Sequence, residues 1–167
     1  MAWIAASKAV TLCRSSFPVL MVHDGANNRE AATMPTPIQL VQTFLDRWAI
    51  PGDLNPSFRD AFTPATVWEN VGMAVTTGAE EAIALNRTFE EGYGMATIKV
   101  DMLAIAAAKG PDGRDRVLTE RVDHLLRGHG SVIMSARCMG VFEVEGDKIV
   151  AWRDFFEPPA DAVAAAG

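Results

Sequence analysis

The sequence predicts an α+β fold in which helices pack on one face of a curved sheet. Three observations predict it. Helical periodicity of apolar residues is confined to the stretch between Thr36 and Gly92. From Met95 onward the apolar residues alternate instead. Turn signals at Pro111-Asp112-Gly113, Gly128-His129-Gly130 and Glu145-Gly146-Asp147 then cut the alternating half into a meander. Helices first and an antiparallel meander after them is the order of an α+β domain.

Each element has its own signal. Thr36-Pro37 is an N-cap followed by proline at the first helical position, where a missing N–H costs nothing. Ile38, Val41, Phe44, Leu45 and Trp48 recur at helical spacing, and Pro51-Gly52 ends the run. Asn55-Pro56 repeats the cap-plus-proline signal for a short helix carrying Phe58 and Phe62, closed by Thr63-Pro64. Val67 to Val71 reads as a short strand. A third helix runs from Gly78 to Glu91 with Ile83, Leu85 and Phe89 on its apolar face and Gly92 as its stop. Four strands follow: one around Ala96–Met102, then Val117–Leu126, Val132–Val144 and Lys148–Phe156.

Composition excludes several classes of function. A net charge of -6 and no run of Lys or Arg argue against a nucleic-acid surface, which needs concentrated positive charge. Two isolated cysteines, Cys13 and Cys138, form no disulfide framework and no metal-binding pair. The histidines His23, His124 and His129 lack the spacing that places two metal ligands on one helix face. No apolar run reaches the ~18 residues that span a bilayer, so the expectation is a cytoplasmic protein with no membrane partner. Residues 1–33 read as a poorly ordered extension, because Arg14-Ser15-Ser16 splits their apolar stretches and no clean secretory signal results. Residues 34–158 read as the folded domain, and 159–167 as a loose, alanine-rich tail.

The chemistry lies in polar residues on apolar strand faces. Residues two apart share a face, so Thr119, Arg121, Asp123 and Leu125 lie together, as do Trp152, Asp154 and Phe156, and Trp68 with Asn70. A carboxylate between Trp152 and Phe156 must find a cation, find donors or keep its proton. Arg121 is the natural partner, because a guanidinium serves two carboxylates at once. Asp123–Arg121–Asp154 would carry a net charge of -1 with both acids ionised, and low-dielectric walls favour one of them keeping its proton. Such a triad is either a buried ion network that fixes strand register or an acid–base pair ready for catalysis. On the same alternation His124 faces away from the triad as a surface or interface residue. Glu143, Glu145 and Asp147 read as a solvated strand end and turn.

Thr119-Glu120-Arg121-Val122-Asp123, Gly140-Val141-Phe142, Gly146-Asp147-Lys148-Ile149 and Trp152-Arg153-Asp154-Phe155-Phe156 together resemble the limonene-1,2-epoxide hydrolase family. The likeness runs from about Pro37 to Glu157, with Trp68-Glu69-Asn70 at the place of the family's Tyr-x-Asn element. The resemblance implies a curved, mixed but largely antiparallel sheet, with N-terminal helices closing a cone-shaped apolar pocket. This fold is related to nuclear transport factor 2, ketosteroid isomerases and SnoaL-like proteins. It implies a homodimer, and one-step hydrolysis of a lipophilic epoxide to a vicinal diol with no cofactor and no metal. Carried over residue by residue, Asp154 is the base that deprotonates water, Asn70 positions that water, Asp123 is the acid that protonates the epoxide oxygen, and Arg121 orients both carboxylates. Trp68, Trp152 and Phe156 are the expected pocket walls.

One residue departs from the family pattern. Trp68 stands where the family carries a tyrosine that also holds the water. An indole N–H donates but does not accept, whereas a phenol does both. Either Asp154 and Asn70 hold the water alone, or the pocket is reshaped. Two other functions therefore stand beside the hydrolase: a proton-shuttling isomerase or cyclase of the same fold, and a non-catalytic binder of apolar ligands.

Overall fold

The computed structural model describes residues 34–156, so the readings made for residues 1–33 and for the tail at 159–167 lie outside the described residues. Helix α1 spans Pro37–Asp46 and continues as a 3-10 turn, Arg47–Ala49. Its start is a full capping box: Thr36 Oγ1 accepts from Gln39 N at 3.3 Å, and Gln39 Oε1 accepts from Thr36 N at 2.9 Å. Val41, Phe44, Leu45 and Trp48 are buried, as the periodicity requires.

Helix α2, Leu54–Ala61, begins earlier than the Asn55-Pro56 signal suggests. Pro56 sits inside the first turn, where its missing N–H is harmless. Asp53 occupies the cap position, but its carboxylate is taken by Arg47 at 2.7 and 2.8 Å. Asn55 instead donates to Glu90 at 3.1 Å.

Phe62 is not helical; it opens strand β1, Phe62–Asn70, which is longer than the expected Val67–Val71. The cause is a bulge. Phe62 pairs with Ile149 and pairing resumes only at Val67 with Ala151. Pro64, which cannot donate to a ladder, lies in the gap, and Thr66 Oγ1 closes it by donating to Ile149 O at 2.6 Å. A four-residue strand that the sequence reading lacked, β2 (Ala74–Thr77), pairs with β1. Helix α3 spans Gly78–Tyr93 and runs through Gly92. Its stop is Gly94, at φ 70°, the left-handed conformation in which glycine caps helices.

Strands β3 (Thr97–Lys109), β4 (Asp115–Leu126), β5 (Val132–Glu145) and β6 (Lys148–Phe156) follow. Among the described residues the strands form a six-stranded sheet of order β2-β1-β6-β5-β4-β3, with β1 and β6 parallel and every other pair antiparallel. The first strand therefore returns to lie beside the last. That pairing brings residues of the N-terminal half next to the C-terminal strand. The core between helices and sheet is aromatic: Phe44 packs on Phe58 with ring centres 5.1 Å apart, and Trp152 stacks between Trp68 at 4.6 Å and Phe142 at 4.9 Å.

Glu143 departs from its expected solvated position. It is buried on the outer side of the sheet, where it accepts from Arg153 at 2.7 Å and lies 3.5 Å from Arg114 and Arg116. These arginines come from the β3–β4 turn and two neighbouring strands and so become partners only on folding. His124 lies on that side too, between Ser135 Oγ at 2.7 Å and Asp101 Oδ2 at 3.0 Å. No helix among the described residues is long and apolar enough to cross a membrane.

Candidate active site

Strand register assembles the polar cluster rung by rung. Trp68, Trp152, Phe142 and Val117 stand opposite one another across β1, β6, β5 and β4. Two residues further on, the next inward-facing rung is Asn70, Asp154, Gly140 and Thr119. Arg121 lies opposite Cys138, and Asp123 opposite Ala136. An aromatic layer therefore underlies a polar one, and neither charge nor aromatics are scattered.

Arg121 is fully buried and is the hub. Its Nε donates to both oxygens of Asp123 at 3.0 and 3.1 Å, its Nη1 to Thr119 Oγ1 at 3.0 Å, and its Nη2 to Asp154 Oδ2 at 2.6 Å. The guanidinium also lies over the Trp152 and Phe142 rings, 5.6 and 5.9 Å from their centres. Gly140 makes this path possible. A Cβ there would stand 2.4 Å from Arg121 Nη1, 2.7 Å from Thr119 Oγ1 and 2.9 Å from Asp154 Oδ1.

Asp154 has 1 % of its surface exposed. Its Oδ1 accepts from Trp152 Nε1 at 2.7 Å, and the buried Cys138 thiol donates to the same carboxylate. Burial pushes the Asp154 carboxyl above the usual carboxylate range, against the opposing pull of Arg121 and the Trp152 and Cys138 donors. Asp123 has fewer donors. Burial, opposed by Arg121 and reinforced by the Asp154 charge, pushes it up to about 6. Burial disfavours the Arg121 charge, yet Asp154 and Asp123 together hold it firmly protonated. With one proton shared between the two acids, the triad is neutral.

Both acids border a cavity of about 510 Å³ between the sheet and the helices. Its sheet wall carries Asp123, Asp154, Asn70 and Trp68; its helical wall includes Trp48, Phe58, Asn86 and Phe89. The volume lies in the range of small-molecule sites, and the lining is mostly apolar with a few polar groups. Asn70 Nδ2 and Trp68 Nε1 are buried there with no hydrogen-bond partner among the described residues. Phe156 lines the cavity. Trp152, expected as a wall, does not. It is fully buried behind Trp68, and its role is to stack there and donate to Asp154. Tyr93, the single tyrosine, stacks on Phe89 at the exposed end of α3 and does not border the cavity. It cannot supply the phenol that Trp68 replaces.

Three contributors were not legible as site residues. Cys138 and Gly140 are small residues whose importance comes from what passes beside them. Asn86 sits mid-helix, where periodicity marks it only as one position on an inward face. Alternation puts Thr119 on the inward face, but its bond to Arg121 depends on the guanidinium's path and has no sequence signal.

A six-stranded, largely antiparallel sheet with N-terminal helices over a polar-floored cavity defines a protein of the NTF2-like fold. An NTF2-like protein from Anabaena variabilis shares this architecture, with a TM-score of 0.54 at 21% identity over 72% of this chain and 86% of that one. Within that fold, the model of the limonene-1,2-epoxide hydrolase catalytic domain matches residues 35–161, and the chain belongs to the limonene-1,2-epoxide hydrolase family. An LEH-like epoxide hydrolase of Mycobacterium tuberculosis aligns with a TM-score of 0.56 and 30% identity over 72% of this chain and 77% of its own. The epoxide hydrolase EphG of Mycobacterium tuberculosis is 34% identical over 91 residues, a match that spans 54% of this chain and 54% of that protein.

Proposed function

We propose that this chain hydrolyses a lipophilic epoxide to a vicinal diol in one step. The observation that carries the reading is one guanidinium holding two buried carboxylates that both open onto an apolar cavity. Asp154 is the general base. It takes a proton from a water held between its carboxylate and the Asn70 amide, and the water oxygen attacks a ring carbon. The C–O bond at that carbon breaks, and the released oxygen takes its proton from Asp123. Asp154 then holds the proton taken from the water while Asp123 has passed its own to the diol, and transfer of one proton from Asp154 to Asp123 resets the pair. Arg121 fixes both acids, and because it stays charged throughout, only one proton moves between them.

Burial raises both carboxyls, and the difference in their hydrogen-bond donors supports this division. Burial lifts Asp123 to about 6, so it holds its proton fully only below about that pH and in a smaller fraction at neutrality. Asp154 is better supplied with donors, from Arg121, Trp152 and Cys138, and these favour its ionised form. Apolar walls exclude bulk water and suit a lipophilic substrate. The pairing of Met139 with Phe155 on the outer sheet face, beside exposed Leu118, supports a homodimer formed through that face.

The test is diol formation from a panel of cyclic, terpenoid and steroidal epoxides by the wild type and by Asp154→Asn. An amide accepts no proton, so the variant stays folded and forms no diol above background. One feature, Trp68 in place of tyrosine, favours a non-hydrolytic pocket instead. On that reading the wild type binds the panel tightly and releases no diol.

A further inference from the structure

The inward face of α3 carries Ala82, Ile83, Asn86 and, partly buried, Phe89. Asn86 breaks an otherwise apolar stripe. It is 4 % exposed, it borders the cavity, and its Nδ2 has no hydrogen-bond partner among the described residues. Leucine at this position would pack better and favour the helix more. A buried amide left unpaired destabilises the fold, so its value lies in something that enters the cavity. The two acids face that space from the sheet, whereas Asn86 faces it from the helices, together with the equally unpaired Trp48 Nε1. A molecule whose reacting end lies against Asp123 and Asp154 presents its other parts to the helical wall.

We infer that Asn86 is a specificity residue whose amide donates to a second oxygen of the substrate, so that the preferred ligand is an oxygenated lipophilic epoxide rather than a hydrocarbon one. A carbonyl, ether or hydroxyl oxygen meets the requirement, because the free group is a donor. A site built to hydrogen-bond an oxygen discriminates against the analogue that lacks it. The inference rests on the hydrolase reading for the word epoxide, but the recognition of oxygen does not.

The test therefore uses binding of non-epoxides. A ten-carbon cyclic hydrocarbon and the ketone of the same skeleton are titrated into wild type and Asn86→Leu. Tryptophan fluorescence is the readout, since Trp48 and Trp68 border the cavity. The expected result is a loss of about five- to tenfold in ketone affinity relative to the hydrocarbon, with the melting temperature unchanged or raised. Asn86→Ala is expected to shift the ratio the same way and guards against a packing failure of the leucine. An unchanged affinity ratio in the folded variants overturns the inference. So does a fall in melting temperature with both ligands weakened alike, which marks a structural asparagine. Because neither ligand is an epoxide, absence of hydrolysis would sink the hydrolase reading and leave this result standing. Hydrolysis with an unchanged ratio would do the reverse.

Discussion

Gly140 leaves the space through which Arg121 reaches Asp154. The Arg121 Nη2–Asp154 Oδ2 bond of 2.6 Å passes where the glycine has no side chain, and an added Cβ would lie 2.4 Å from the neighbouring Nη1. Arg121 cannot swing aside, because Asp123 and Thr119 hold its other nitrogens. Gly140→Ala is expected to break the bridge, destabilise the fold by about 1–3 kcal/mol and lower kcat at least tenfold. Thermal melting and steady-state kinetics check it. A variant with wild-type melting and rate would show that the guanidinium path is not needed.

Asp123 gives the pH dependence its sign. It must be protonated to act, and burial raises it from 3.8 to about 6, so kcat/KM falls as pH rises above about 6. The acid limb comes from protonation of Asp154, itself raised by burial, so it too lies above the ordinary carboxylate range. Stability moves as well. Between about pH 4 and pH 6 the folded chain holds the Asp123 proton that the unfolded chain has released, so stability falls as pH rises through that window. Asp123→Asn is expected to flatten that slope in a melting series and to suppress turnover. A rate that keeps climbing through pH 8 contradicts the assignment of Asp123 as the acid.

Trp68→Tyr tests the departure from the family pattern. Trp68 Nε1 has no hydrogen-bond partner among the described residues, and the indole stacks on Trp152 beside Asp154. A phenol there would add a group able both to accept from and donate to the water, and would open some volume. One neutral hydrogen bond contributes ~1 kcal/mol, so a gain of up to roughly tenfold in kcat on small epoxides is expected. A loss of rate on every substrate would show that the indole itself holds the reactants.

Much of the fold and of the site was legible because β-strand chemistry repeats every two residues. Arg121, Asp123 and Asp154 sit at inward positions among Val117, Leu125 and Trp152, and alternation alone put the first two on one face. What escaped depends on contacts between strands. Register decides that Gly140 stands between Thr119 and Asp154, and no local pattern records it. Strand β2 is four residues long with one of them buried, too short for a period to show. The bulge around Pro64 disguised the first half of β1 as a helix end. Glu143 looked solvated because its three arginines approach from separate segments. Alternation puts Trp152 on the inward face, but whether an inward residue lines a cavity or lies beneath it depends on its neighbours, here Trp68.

The central claim is direct attack by a water activated at Asp154, and a single turnover in isotopically labelled water tests it most directly. Enzyme in excess over a confirmed epoxide substrate, quenched after one turnover, should give a diol carrying one labelled oxygen. Unlabelled diol in that first turnover, with label appearing only later, would place a carboxylate oxygen of the enzyme in the product and contradict the one-step account.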